Sequence, residues 1–264
     1  MTSPALPDGG SAQALPLTPA PGAAPTAARW WAQARLEWRL LMTNGEQILL
    51  TLVIPVVVLV AVTQLGLATI DEATPGVMAL AILSSAFTAT AIATGFERRS
   101  GVLKYLGATP LRRSGLLVGK VTATLAVIVV QLVVLGVAAL LMGWSPAAPN
   151  PLTLAAVVVL GTVALGAWGL ALAGLLRAEA TLAVANGIFL LLLFAGGTVM
   201  PTDSLPGPLA AVAGLLPSAA LADCLRALLD PALAGGGNPW GALVVLPAWA
   251  VAGIALTVRT FHWE

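Results

Sequence analysis

Apolar residues fall in long uninterrupted runs along the chain, and those runs predict its elements. Six are long enough to cross a bilayer: residues 48–67, 77–95, 121–143, 152–176, 181–199 and 240–258. A helix needs about 20 mostly apolar residues to span a hydrocarbon core of about 30 Å. None of the six contains an acidic or basic residue. One such run could be the buried core helix of a soluble protein, but six in one chain exclude that. Pro55 and Pro247 lie inside runs, where neighbouring helices can satisfy the freed carbonyls. Gly161, Gly166, Gly169 and Gly174 predict close helix–helix approach.

Two segments depart from this pattern. Residues 1–28 carry Pro4, Pro7, Pro16, Pro19, Pro21 and Pro25 with no apolar periodicity, and read as a disordered Pro/Ala-rich tail. The tail has neither a basic start nor a long apolar core, so it is not a secretory signal. From Arg29 the spacing turns helical. Trp30, Ala34, Trp38 and Leu41 share one stripe, Trp31 and Met42 widen it, and Arg35 and Arg39 lie off it. That is an amphipathic helix suited to the membrane surface. Asn44-Gly45 then breaks it.

Composition sharpens the class. Of 264 residues, 59% are hydrophobic and 9% charged. A soluble domain carries about 25% charged residues. An ordinary cytosolic enzyme is therefore excluded, and the reading is an all-α polytopic membrane protein. The net charge of +1 argues against nucleic acid as a partner. A lone cysteine, Cys224, excludes an intramolecular disulfide framework and a multi-cysteine metal site. With the one histidine at position 262, no catalytic cluster is available at membrane depth. Orientation follows from the basic residues. Eleven of the twelve Lys and Arg fall on one side of a six-span arrangement, and only Arg226 falls on the other. Both termini are expected in the cytoplasm. Trp144 and Trp240 are expected at the outer membrane border.

The cytoplasmic loop between the second and third spans runs from Phe96 to Lys120. Val102, Leu103 and Leu106 form a short apolar face, with Arg99 and Lys104 away from it. Gly107 can stop that helix, and Thr109 can cap a second one with Pro110 at its first position. On physical grounds two readings stand side by side: surface helices that pass movement into the spans, or a basic loop that only sets topology.

The run Glu97-Arg98-Arg99-Ser100-Gly101-Val102-Leu103-Lys104, then Leu106-Gly107-Ala108-Thr109-Pro110 and Gly119-Lys120, resembles the corresponding loop of type-2 ABC exporter permeases. The other long loop is similar too. Gly196-Gly197 and Pro201 end the fifth span, Leu205-Pro206 follows, then Pro217, Asp223 and Arg226. Leu216 stands where that family usually has Asn. The resemblance covers Arg29 to the C-terminus.

The resemblance implies a plasma-membrane permease that forms a dimer with a second permease subunit, a homodimer, and binds a separate cytoplasmic ABC ATPase. No cofactor is bound directly, and ATP and Mg sit on that partner. It implies that residues 97–106 are a coupling helix, with Glu97 and Arg99 making polar contacts and Val102, Leu103 and Leu106 filling an apolar groove. It implies that residues 29–43 are the interfacial connecting helix. The expected task is outward movement of a hydrophobic or amphipathic substrate. A membrane component of a cofactor, heme-related, maturation system is the alternative.

The residues support a partner for energy. A P-loop needs four residues between its glycines and a hydroxyl after the lysine. Gly115 and Gly119 have three between them, and Val121 follows Lys120. Lys120 reads instead as snorkelling to the headgroups. On the outer side, residues 200–239 are mostly apolar. Ser218 is placed to cap a helix, and Asp223, Arg226 and Asp230 share a face as an exposed ion-pair ladder. The segment as a whole, with Pro201 and Pro217, reads as an outer gate. Within the spans the polar groups are few: Gln64, Ser84, Ser85, Thr88, Thr90, Gln131 and Asn186. No intramembrane charge exists, which counts against ion-coupled transport.

Overall fold

The computed structural model describes residues 24–43, 45–109, 113–196, 198, 207–229, 232 and 239–260. The described chain is all-helical: α1 (Thr26–Thr43), α2 (Gly45–Gln64), α3 (Ile70–Leu83), α4 (Thr90–Arg99), α5 (Val102–Gly107), α6 (Arg113–Leu141), α7 (Pro151–Leu175), α8 (Ala178–Ala195), α9 (Gly207–Ala213), α10 (Pro217–Leu229) and α11 (Pro239–Thr260). A π-helical stretch, Ser84–Ala89, joins α3 to α4, so Ile70–Arg99 is one continuous rod.

Five helices among the described residues are long and apolar enough to cross a membrane. They are the Ile70–Arg99 rod, α6, α7, α8 and α11, and each overlaps an apolar run read from the sequence. In α2 the corresponding apolar helix is shorter, Thr51–Gln64. The tail before residue 24 and the residues flanking α9 lie outside the described chain.

Burial sorts the helices into a centre and a periphery. The rod and α7 are mostly buried, whereas α6, α8 and α11 expose most of their apolar side chains. Val129, Val133, Val137 and Leu141 on α6 and Leu190, Leu191 and Phe194 on α8 face outward. An apolar surface that extensive belongs in lipid, not water. Small residues set the central contacts. A Cβ on Gly169 would come 2.6 Å from the Phe87 carbonyl oxygen, and one on Gly253 would come 2.7 Å from the Trp168 ring. Trp168 and Trp249 then meet edge to face with centroids 5.1 Å apart, and the Trp168 Nε1 donates to the Trp249 carbonyl.

Thr69 opens α3 as a capping box: its hydroxyl accepts from the Glu72 amide, and the Glu72 carboxylate accepts from the Thr69 amide. At the same end, α10 is a core helix and not a surface one. Leu221 and Leu225 are fully buried, and α10 packs on α3, α7 and α11. Ser218 does not cap it, because α10 begins at Pro217 and the Ser218 hydroxyl donates to the Leu192 carbonyl of α8. Trp144 is buried in the core cluster that includes Leu221 and Leu225.

Candidate functional site

The end of the rod at α4 ties four helices together. Glu97, Arg98 and Arg99 are its last three helical residues, and each reaches a different neighbour. Glu97 accepts from Lys120 Nζ of α6 at 2.5 Å, and the same ammonium lies 3.2 Å from the Glu37 carboxylate of α1. Glu37 also accepts from Gln33 Nε2 at 2.8 Å. Arg98 donates to the Ala173 and Gly174 carbonyls at 3.3 and 2.8 Å, which satisfies the C-terminal end of α7. Arg99 pairs with Glu179 in the first turn of α8.

Lys120 is 5% exposed. The snorkelling expectation is therefore wrong: the amine points into the protein, where two carboxylates compensate its charge. Gly119 lets α1 come this close, since a Cβ there would sit 2.6 Å from Gln33 Cγ. The face of α1 turned to α6 is thus Gln33, Ala34 and Glu37, while Trp31, Arg35 and Arg39 are exposed. The near-match Gly115–Lys120 lies inside α6, where the amides serve helical bonds.

Beyond Arg99 the chain turns at Gly101, whose φ of 78° favours glycine over any residue with a Cβ. That turn splits the 97–106 helix expected from sequence: Glu97 and Arg99 end α4, and α5 starts at Val102. Leu103 is fully buried against Leu116, with Leu106 and Leu117 closing the cluster. The outward face of α5 is Val102, Lys104 and Tyr105, and Tyr105 is 80% exposed. The second helix expected to start at Thr109 and Pro110 falls on residues 110–112, outside the described chain. The Thr109 hydroxyl donates back to the Leu106 carbonyl.

Next to this junction a cavity of about 1300 Å³ opens between α2, the rod and α6. Glu37, Glu97 and Lys120 lie at one end of it. Ser84, Ser85, Thr88, Thr90 and Thr94 line one side from the rod, and Leu52, Val127 and Val130 are among its apolar walls. Buried Gln131 of α6 links the rod to α2 behind the lining: the Ser85 hydroxyl donates to Gln131 Oε1 at 3.0 Å, and Gln131 Nε2 donates to the Thr51 carbonyl at 2.8 Å. The amide serves as helix glue, as its type suggests. Asn186 is exposed on α8, and its amide donates to the Leu182 carbonyl of its own helix.

At the opposite end, Arg226 Nη1 pairs with Asp223 at 3.1 Å and Nη2 donates to the Thr198 carbonyl at 3.3 Å. Arg226 is 5% exposed, so the exposed ladder expected here is a buried clamp. It closes over Gly76 of α3, where a Cβ would meet the Thr198 carbonyl and the guanidinium. Pro217, the first residue of α10, is buried. Pro201 and Asp230 lie outside the described residues.

Residues 28–229 match the family model for the ABC-2 type transporter. The chain belongs to that family. It is a multi-pass permease component of an ABC transporter, and the match takes in the α4–α5 junction, the cavity and the Asp223–Arg226 clamp. A search of curated proteins returned no match of significance. Sequence reasoning missed two parts of this permease. Glu37 lies in a helix read for its tryptophans, and Thr94 in a span whose other hydroxyls, Ser84, Ser85, Thr88 and Thr90, were noted without it.

Proposed function

We propose that this permease exports a hydrophobic or amphipathic substrate across the plasma membrane, driven by a separate cytoplasmic ABC ATPase. It works as a homodimer of six-span subunits, with α2 as the first span and both termini in the cytoplasm. The α4–α5 junction carries this reading. A push on the exposed face of α5 passes through Gly101 into α4, and from there to α1, α6, α7 and α8 through Glu97, Arg98 and Arg99. Val102 and Tyr105 seat in the ATPase groove. Leu103 and Leu106 hold α5 to α6, and Glu97 and Arg99 carry the motion inward. The outer gate is the segment holding Pro217 and the Asp223–Arg226 pair, with Pro201 before it.

The test is Val102→Asp with Tyr105→Asp. Both side chains are exposed, so folding persists while ATPase binding and transport fall. Truncating an interface anchor commonly costs 2 kcal/mol or more, about thirtyfold in affinity. ATPase recruitment and transport at the parental level would remove the coupling role from α5.

A further inference from the structure

We propose that the cavity between α2, the rod and α6 binds uncharged, oxygen-rich amphipathic molecules, with Thr88 and Thr94 hydrogen-bonding the head and Leu52, Val127 and Val130 contacting the tail. The inference rests on the permease reading and names the substrate class for it.

Hydroxyls supply the first observation. Ser84, Ser85, Thr88, Thr90 and Thr94 all line the cavity from the rod. At about 1.5 Å per residue they form a polar track about 15 Å long. The π-helical stretch contributes three of them, and a π turn in an otherwise regular helix frequently marks a functional site.

Hydrogen-bond accounting supplies the second. The Ser85 hydroxyl is used by Gln131, and the Thr90 hydroxyl lies against the Ser85 carbonyl and the Thr124 hydroxyl. Thr88 and Thr94 differ. They are 9% and 1% exposed, and neither Oγ1 has a partner among the described residues. A mid-helix threonine normally bonds a carbonyl of its preceding turn. A buried hydroxyl with no partner is costly, and a ligand oxygen would satisfy it. A χ1 rotation exchanges the positions of Oγ1 and Cγ2, so each hydroxyl can turn toward a bound molecule.

Charge narrows the class. Two carboxylates, Glu37 and Glu97, share the single ammonium of Lys120, and Arg99 is paired with Glu179. Among the described residues, the charged end of the cavity thus offers no unpaired cation, and three carboxylates stand there against two cations. An anionic head is repelled there, whereas hydroxyl, ether and carbonyl oxygens suit the track. Alkyl glycosides and monoacylglycerols have this chemistry.

The experiment uses the full chain, without ATPase, in phosphatidylcholine nanodiscs. A monoacylglycerol with a diazirine in its tail is photolysed, and labelled peptides are mapped. Labelling should fall on α2 and α6, which meet the tail, and unlabelled monolauroylglycerol and dodecyl glucoside should compete. Lauric acid, with the same tail and an anionic head, should not. Thr88→Val with Thr94→Val should raise the half-maximal competitor concentration about tenfold. These near-isosteric changes remove unpaired hydroxyls, so the melting temperature should not fall. Thr162→Val, at a hydroxyl bonded to Val158 away from the cavity, should leave competition unchanged. Labelling spread over α8 and α11 without competition, equal competition by lauric acid, or an unaltered double valine variant would overturn the proposal. ATPase association is not read in this assay, so its failure leaves the permease reading standing.

Discussion

Replacing Lys120 by Met tests the wiring of the α4 end most sharply. The ammonium is 5% exposed and lies 2.5 Å from Glu97 and 3.2 Å from Glu37. Methionine keeps the volume and removes the charge. Two carboxylates then face each other without a counterion, and neither is free to leave: the Glu37 side chain is 9% exposed and that of Glu97 24%. Breaking a buried pair by removing one partner costs about 3–5 kcal/mol. Glu97 keeps some solvent, which places this case near the lower figure, about 3 kcal/mol. For a chain of this size that is a fall in melting temperature of about 10 °C. The assay is thermal unfolding of the detergent-purified permease. Adding Glu37→Gln and Glu97→Gln should restore most of the loss, because a neutral, filled cluster has no charge to strand. A lysine that only reaches for headgroups predicts no change in either variant. Parental stability of Lys120→Met would therefore refute the buried cluster.

Other outcomes follow from the same packing. Gly169→Ala should destabilise by about 1–3 kcal/mol, because the new methyl meets the Phe87 carbonyl at the π-helical stretch; a thermal melt checks it. Arg226→Met should remove the contacts to Asp223 and the Thr198 carbonyl and loosen the α10 clamp, read as faster limited proteolysis from the outer side. Burial, and then the nearby Asp223 charge, push the Cys224 thiol up to about 11. At pH 8 only about one thiol in a thousand is then ionised, so maleimide labelling of the folded protein should be slow and should rise on denaturation. A tag inserted at Asn150 should be reachable from outside intact cells, while terminal tags should not.

The five long spans were legible in the sequence because each is an apolar run bounded by charge, glycine or proline, and the bilayer rule needs nothing more. The junction was only half legible. Gly101 marks a break, but the eye groups Glu97 with Val102 when no backbone angle is given. Lys120 was misread because its partners lie 83 and 23 residues away, and nothing local announces them. Arg226 was misread for the same reason. Its partner Asp223 is local, but Thr198 and Gly76, which bury it, come from distant elements. The π-helical stretch has no spacing signature, so the hydroxyls it gathers looked like scattered residues of one span.

Affinity capture of the tagged permease from membranes tests the central claim most directly, with ATP hydrolysis and export then measured in liposomes. The expected result is a separate ABC ATPase that co-purifies, with ATP-dependent export that needs both chains and is lost in the Val102→Asp, Tyr105→Asp variant. A permease that hydrolyses ATP by itself, or that moves substrate in liposomes with no ATPase present, would contradict the account.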